Sequence, residues 1–267
     1  MDYPLRPGVV WAGQYRIEQF LGMGSYGQTY RCTDLKNGTA VLLKRAKPSK
    51  REIGRRLLKR ESEILQQLNH PQIPAWLDWA VHRREQALVM AYVEGEDMEQ
   101  AILLLGRTYT EQEAMLLILG LLRPLQHLHE AGYVHRDVRI PNVLLKNDKV
   151  HLIDLGLACR TGEEDPSRRE GEPSGFADSW GPIKYRMRMP DPTSDLYGLG
   201  HIFLFLMYAG YSPEEGQEER SWEEELSLQP RVKSWVKGLF ESKWRTAVEC
   251  EQELAHILAD YSAGNNE

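Results

Sequence analysis

Polar and apolar residues alternate through Tyr15-Arg16-Ile17-Glu18-Gln19-Phe20 and resume beyond a run of glycines, which predicts two strands joined by a glycine turn over 15–31. Thr39 to Lys44 reads as a short β-branched and aliphatic strand ending in a basic residue. Arg51 to Leu68 reads as a helix, with Ile53, Leu57, Ile64, Leu65 and Leu68 at helical spacing and His70-Pro71 as its stop. Two further strands, Ala75–Val81 and Gln86–Tyr92, flank the charged turn His82-Arg83-Arg84-Glu85. Beyond Glu94-Gly95 the texture becomes helical. Helices are predicted over Asp97–Leu105, over Thr110–Ala131 with Thr110 as N-cap ahead of Glu113, and near 222–240 and 246–260. Thr193–Tyr208 is apolar on nearly every side and reads as a buried helix. Residues 160–181 show no period, which inside a compact domain is the pattern of a functional or mobile segment. The pattern gives an α+β chain in two parts, residues 1–93 with a small antiparallel five-stranded sheet and one helix, and residues 94–267, mainly helical.

Composition narrows the classes. The chain has 267 residues, 42% hydrophobic and 27% charged, ordinary values for a globular protein with a sizeable core. A net charge of −6 argues against wholesale nucleic-acid binding, although residues 44–60 hold nine Lys or Arg and a single Glu. Cys32, Cys159 and Cys250 are far apart and form no C-x-x-C, so neither a disulfide framework nor a zinc site is expected and a reducing, cytoplasmic setting fits. The N-terminus has no apolar signal core, and the longest apolar run, Ile202 to Tyr208, is far short of the ~20 residues of a membrane helix. A single catalytic module without a sensor or linker is the expectation.

The candidate chemistry is concentrated in His135-Arg136-Asp137, Asn142 five residues later, and Asp154-Leu155-Gly156. Gly22-x-Gly24-x-x-Gly27 alone fits an ordinary hairpin turn. Between two strands it also suits a flap whose backbone amides approach phosphate oxygens. Lys44 ends its strand as either a snorkelling edge lysine or an ammonium for phosphates. The segments V-H-R-D-V-R-I-P-N-V-L-L (134–145) and H-L-I-D-L-G (151–156) resemble the catalytic loop and metal-binding segment of eukaryotic-type (Hanks-type) protein kinases. The likeness runs from about 15 to about 258 and is greatest to the small stand-alone kinases of bacteria. It implies the bilobal protein-kinase-like fold, with ATP and Mg²⁺ as cofactors and ATP and protein substrates as partners. Nucleic acid and membrane are not expected, and a monomer is compatible.

By this resemblance Asp137 accepts the substrate proton, and Lys44, held by Glu61, meets the α and β phosphates. Arg139 carries positive charge toward the γ-phosphate. Asn142 and Asp154 hold Mg²⁺, a hard cation suited to oxygen ligands. Gly22, Gly24 and Gly27 cover the phosphates, while Leu21, Thr29 and Leu144 sandwich adenine. Backbone groups of Ala91 and Val93 bond its edge, with Met90 as gatekeeper. Glu63, the rival to Glu61, lies about 200° away on the helix wheel. Arg136 receives a phosphate or acid from the segment 160–181, where Thr161, Ser167, Ser174 and Ser179 are candidate phosphoacceptors. His135 and Leu155 pack in a column with Leu65 and Trp76, and Asp195 braces the catalytic loop.

The chain departs from the pattern in places. Arg139 stands where serine/threonine kinases usually carry lysine, and Pro182-Ile183-Lys184-Tyr185 resembles a tyrosine-kinase segment. The A-P-E tripeptide falls on Met187-Arg188-Met189 and lacks its glutamate, so Arg245 loses its usual partner unless Asp191 replaces it. Leu42 fills the position beneath adenine that is usually small. Serine/threonine transfer, tyrosine or dual specificity, and an ATP-binding pseudokinase scaffold all stay open. A small-molecule kinase is opposed by H-R-D in place of H-G-D and by the regular glycine flap.

Overall fold

The computed structural model describes residues 2–163, 181–212 and 220–264. The chain divides into two compact units, Met1–Glu94 with Asp154–Leu157, and Gly95–Ile153 with Ala158–Glu267. The stretch Asp154–Leu157 groups with the first unit.

The first unit is an antiparallel sheet with one helix. Its strands are β1 (Val10–Trp11), β2 (Tyr15–Met23), β3 (Gly27–Asp34), β4 (Ala40–Ala46), β5 (Trp76–His82) and β6 (Glu85–Ala91), and its helix is α1 (Arg51–Leu65). The strand order is β1-β2-β3-β4-β6-β5. The sheet therefore has six strands where five were expected. β1 is only two residues long and carries no alternation that a periodicity reading can detect. Along β4, Val41, Leu43 and Arg45 are buried on one face, so by the period of two Leu42, Lys44 and Ala46 share the other. Ile17, Tyr30, Cys32, Val41, Leu43 and Val89 form the core of the first face. Fully burying a large aliphatic or aromatic side chain contributes about 1.5–3 kcal/mol each.

Helix α1 ends at Leu65, short of the expected Leu68. Gln66, Gln67 and Leu68 continue as bonded turns that keep Leu68 buried. Its buried residues are Gly54, Leu58, Glu61, Ser62, Ile64 and Leu65, so Ile64 and Leu65 lie on the covered face as the spacing predicts, while Ile53 and Leu57 are half-buried. Gly54 sets how closely that face packs. A Cβ there would stand 2.7 Å from the Tyr26 carbonyl oxygen and 2.8 Å from Ala46 Cβ. Only glycine lets α1 sit this close to β4.

The second unit begins with β7 (Glu96–Asp97), α2 (Met98–Leu103) and α3 (Glu111–Glu130). Asp97 caps α2, and Thr110 and Glu113 form the anticipated capping box on α3. Four short strands follow, β8 (Tyr133–Val134), β9 (Val143–Lys146), β10 (Lys149–Leu152) and β11 (Cys159–Arg160), then α4 (Gly181–Met187) and α5 (Pro192–Tyr208). The expected helix near 222–240 is two helices, α6 (Trp222–Glu225) and α7 (Pro230–Phe240), because Pro230 starts a new one at its first turn. α8 (Ala247–Gly264) closes the unit. Met115, Ile118, Leu122, Leu199, Phe203, Trp235 and Leu254 lie in its core. Most of the aperiodic stretch 160–181, with Ser167, Ser174 and Ser179, lies outside the described residues. Among the described residues no helix is long and apolar enough to cross a membrane.

Candidate active site

Within the first unit Lys44, Glu61 and Asp154 converge. Lys44 projects from the β4 face that α1 covers, and Glu61 lies on the helix stripe that faces it. The ammonium donates to Glu61 Oε1 at 3.0 Å and Oε2 at 2.8 Å, and to Asp154 Oδ1 at 2.7 Å. Burial works against the charged ammonium, but Asp154 and Glu61 together outweigh it and hold the Lys44 pKa above its ordinary value. Burial pushes the Glu61 carboxyl up to about 7, with Lys44 pulling it back. Two acids around one base leave a net negative charge, so one carboxyl is driven toward its neutral form.

Asp154 has φ 64, in the left-handed region, and its Oδ1 also accepts the Gly156 amide at 3.0 Å. A Cβ on Gly156 would lie 2.9 Å from that oxygen, which explains glycine at this position. Glu63 is exposed beside Lys59, as the helix wheel predicted.

Within the second unit β8 and β9 bracket a loop that carries Asp137, Arg139 and Asn142. The Asn142 side-chain amide donates to Asp137 Oδ2 and to the Asp137 carbonyl oxygen, both at 2.8 Å. These bonds spend its nitrogen and leave Oδ1 as the atom suited to a hard cation. Arg139 Nε donates to Asp137 at 3.2 Å, while its side chain stays exposed. The loop is clamped from below by Asp195 of α5, which is fully buried. Asp195 Oδ2 accepts the His135 amide and His129 Nε2, and Oδ1 accepts the Arg136 amide, each at 2.8 Å. These bonds hold Arg136 at φ 65. His135 Nδ1 accepts the Asp137 amide, so Nε2 carries the proton and donates to the Ile153 carbonyl at 3.1 Å. Gly198 completes the clamp, since a Cβ there would meet the Val138 carbonyl oxygen at 2.5 Å.

The other predicted residues fall as follows. Gly22 and Gly24 border the β2–β3 turn, where the Gly24 amide donates to the Gly27 carbonyl at 3.0 Å. Leu21 is exposed at the end of that strand, and Thr29 stands opposite Lys44 in the ladder. Met90 is buried in β6 opposite Leu42. The Ala91 amide is taken by the Ala75 carbonyl. Val93 is half-buried in the first unit and Leu144 half-buried on β9 of the second. Leu65 and Leu155 are buried, and Trp76 Nε1 donates to Ser62 Oγ.

Arg136 Nε donates to the Arg188 carbonyl at 2.6 Å, and most of the segment expected to bring it a phosphate or acid lies outside the described residues. Asp191 does not pair with Arg245. It caps α5 by accepting the Thr193 amide and hydroxyl. Sequence reading missed His129, whose signal, a histidine in the last turn of α3, is indistinguishable from a helix-end charge.

The chain matches the family described as Protein kinase domain over residues 15–265. It is 32% identical over 261 residues to the probable serine/threonine-protein kinase YbdM of Bacillus subtilis, covering 96% of this chain and 94% of that protein. It is 29% identical to a probable serine/threonine-protein kinase of Streptomyces coelicolor, over 80% of this chain and 33% of the other. It is also 25% identical to serine/threonine-protein kinase B of Synechocystis, over 92% of this chain and 46% of the other.

Proposed function

Because this chain belongs to the protein kinase family, we propose that it transfers the γ-phosphate of MgATP to serine and threonine hydroxyls of proteins. The observation that carries the reading is the Lys44 ammonium gripped by both Glu61 oxygens and by Asp154. A chain kept only as a nucleotide-holding scaffold has no need of that set together with an ordered Asp137–Asn142 pair.

The donor chemistry fits the cofactor. An amide oxygen on Asn142 and a carboxylate on Asp154 are hard ligands suited to Mg²⁺. Bound MgATP would supply the phosphoryl group and the cation that neutralises its charge. Lys44 orients the α and β phosphates, and the glycine turn at 22–27 covers them with backbone amides. Asp137, aimed by Asn142, accepts the hydroxyl proton of the substrate. Arg139 neutralises Asp137 until substrate arrives and then has charge to offer the γ-phosphate. Serine/threonine specificity draws on the names of the relatives, set against Arg139 and the 182–185 segment.

The test is transfer of labelled phosphate from MgATP to itself and to generic proteins, followed by phosphoamino-acid analysis. Asp137→Asn is expected to lower kcat by about 10²–10⁴. Equal labelling by both proteins removes Asp137 from the mechanism. Phosphotyrosine alone overturns the acceptor assignment, and an inert wild type that still binds nucleotide supports the scaffold.

A further inference from the structure

The end of the segment before α5 lacks the glutamate that would pair with Arg245, and the substitute the sequence offered does not serve. Asp191 is committed to the α5 cap. Arg245 is exposed, its backbone amide donates to Glu249, and its side chain has no hydrogen-bond or ion-pair partner among the described residues. Something else must fix α4.

Arg186 does so. One terminal nitrogen donates to the Phe240 carbonyl at 2.8 Å and to Ser242 Oγ at 2.7 Å. The guanidinium carbon lies 4.8 Å from the centroid of the Tyr197 ring, a cation–π distance. Phe240 ends α7, so its carbonyl is one of the orphan acceptors where the helix dipole is negative, and a cation is favoured there. Tyr197 is in turn held edge-on by His201 and Phe240. Two residues further on, the Arg188 carbonyl accepts from Arg136 of the catalytic loop at 2.6 Å. The last turn of α4 is thus tied both to the end of α7 and to the residue before Asp137. Lys184 and Tyr185, on the opposite side of this turn, face solvent, with Tyr185 68% exposed.

Resting on the reading that the chain phosphorylates proteins, we propose that α4 and the turn after it are where the protein substrate docks and that Arg186 positions them. It replaces the absent acid–arginine pair with a guanidinium bonded to neutral acceptors. Arg186 is a positioning residue, because it reaches the substrate only through α4. Its bonds need no phosphate, so the docking turn is set in the unmodified protein.

The experiment measures KM for ATP and for a protein substrate separately, in wild type, Arg186→Lys and Ser242→Ala. Lysine keeps the charge over Tyr197 but lacks the planar fork. Displacement of a positioning element by about 1 Å costs up to about a hundredfold. Arg186→Lys is therefore expected to raise the protein-substrate KM about ten- to a hundredfold, while KM for ATP and the melting shift with MgADP stay at wild-type values. Ser242→Ala, a smaller change that removes one hydroxyl and leaves Arg186 in place, is expected to change KM in the same direction to a smaller degree. Unchanged substrate KM in both variants overturns the brace and leaves phosphotransfer standing. So does an equal rise in both KM values, which marks a general loss of structure. A wild type that labels no protein overturns the phosphotransfer reading and the brace with it.

Discussion

The sharpest residue-scale feature is one ammonium between two carboxylates. Burial raises Glu61 to about 7 from an ordinary 4.5, so between these values the folded chain binds a proton that the unfolded chain releases. Its contribution to stability is complete below 4.5 and is lost as pH rises through about 7. Activity runs the other way, since only ionised Glu61 grips Lys44 with full charge. We expect kcat/KM for ATP to rise between pH 6 and 8, and the melting temperature to lose a component over pH 5–7 that is missing in Glu61→Gln. A wild-type rate flat from pH 6 to 8 would remove Glu61 from control of the site. The pairing of Lys44 with Glu61 was legible because helix geometry separates Glu61 from Glu63 by angle alone. The Asp154 contact was not, since 110 residues separate it from Lys44 and nothing local encodes the approach.

At the scale of elements, what was legible tracks length. Strands β2 to β6 and helices α1 and α3 are long enough to show a period, and α5 shows as a long stretch apolar on nearly every side. Strands β1, β7, β8 and β11 have two residues each and show none. The place of Gly54 in the buried face of α1 was not legible, because a glycine has no hydrophobic signal. The close approach it permits matters, as it sets Glu61 under Lys44. Gly54→Ala should gain about 1 kcal/mol of helix propensity, yet its Cβ meets backbone and Ala46, and such overpacking costs about 1–3 kcal/mol. Because the helix must lift from β4, kcat/KM for ATP is expected to fall several-fold with little gain or a loss in melting temperature. A clear rise in melting temperature with normal activity would show that the contact yields freely. The clamp on Asp195 belongs to this scale too: its helix was predicted, but its three donors come from 59 to 66 residues away.

For the whole molecule, each unit has its own buried core, and the proposed nucleotide chemistry draws on both. Ligand binding to the native state alone stabilises by about 2.7 kcal/mol at a hundred times Kd. At about 2–4 °C per kcal/mol for a chain near this size, that is a rise of roughly 5–10 °C in melting temperature. The residue assignments divide this rise. Lys44 addresses phosphate without metal, so Lys44→Met is expected to abolish the shift given by ADP both with and without Mg²⁺. Asn142 contributes through its amide oxygen to the cation, so Asn142→Ala should keep the metal-free shift and lose only the increment that Mg²⁺ adds. The measurement is thermal unfolding of the intact chain with ADP, MgADP or Mg²⁺ alone. Loss of the metal-free shift in Asn142→Ala would instead make that residue a support for its loop, since its side-chain nitrogen also holds Asp137. Equal shifts in Lys44→Met and wild type would place the nucleotide elsewhere, because a phosphate beside a fixed ammonium cannot be indifferent to its removal.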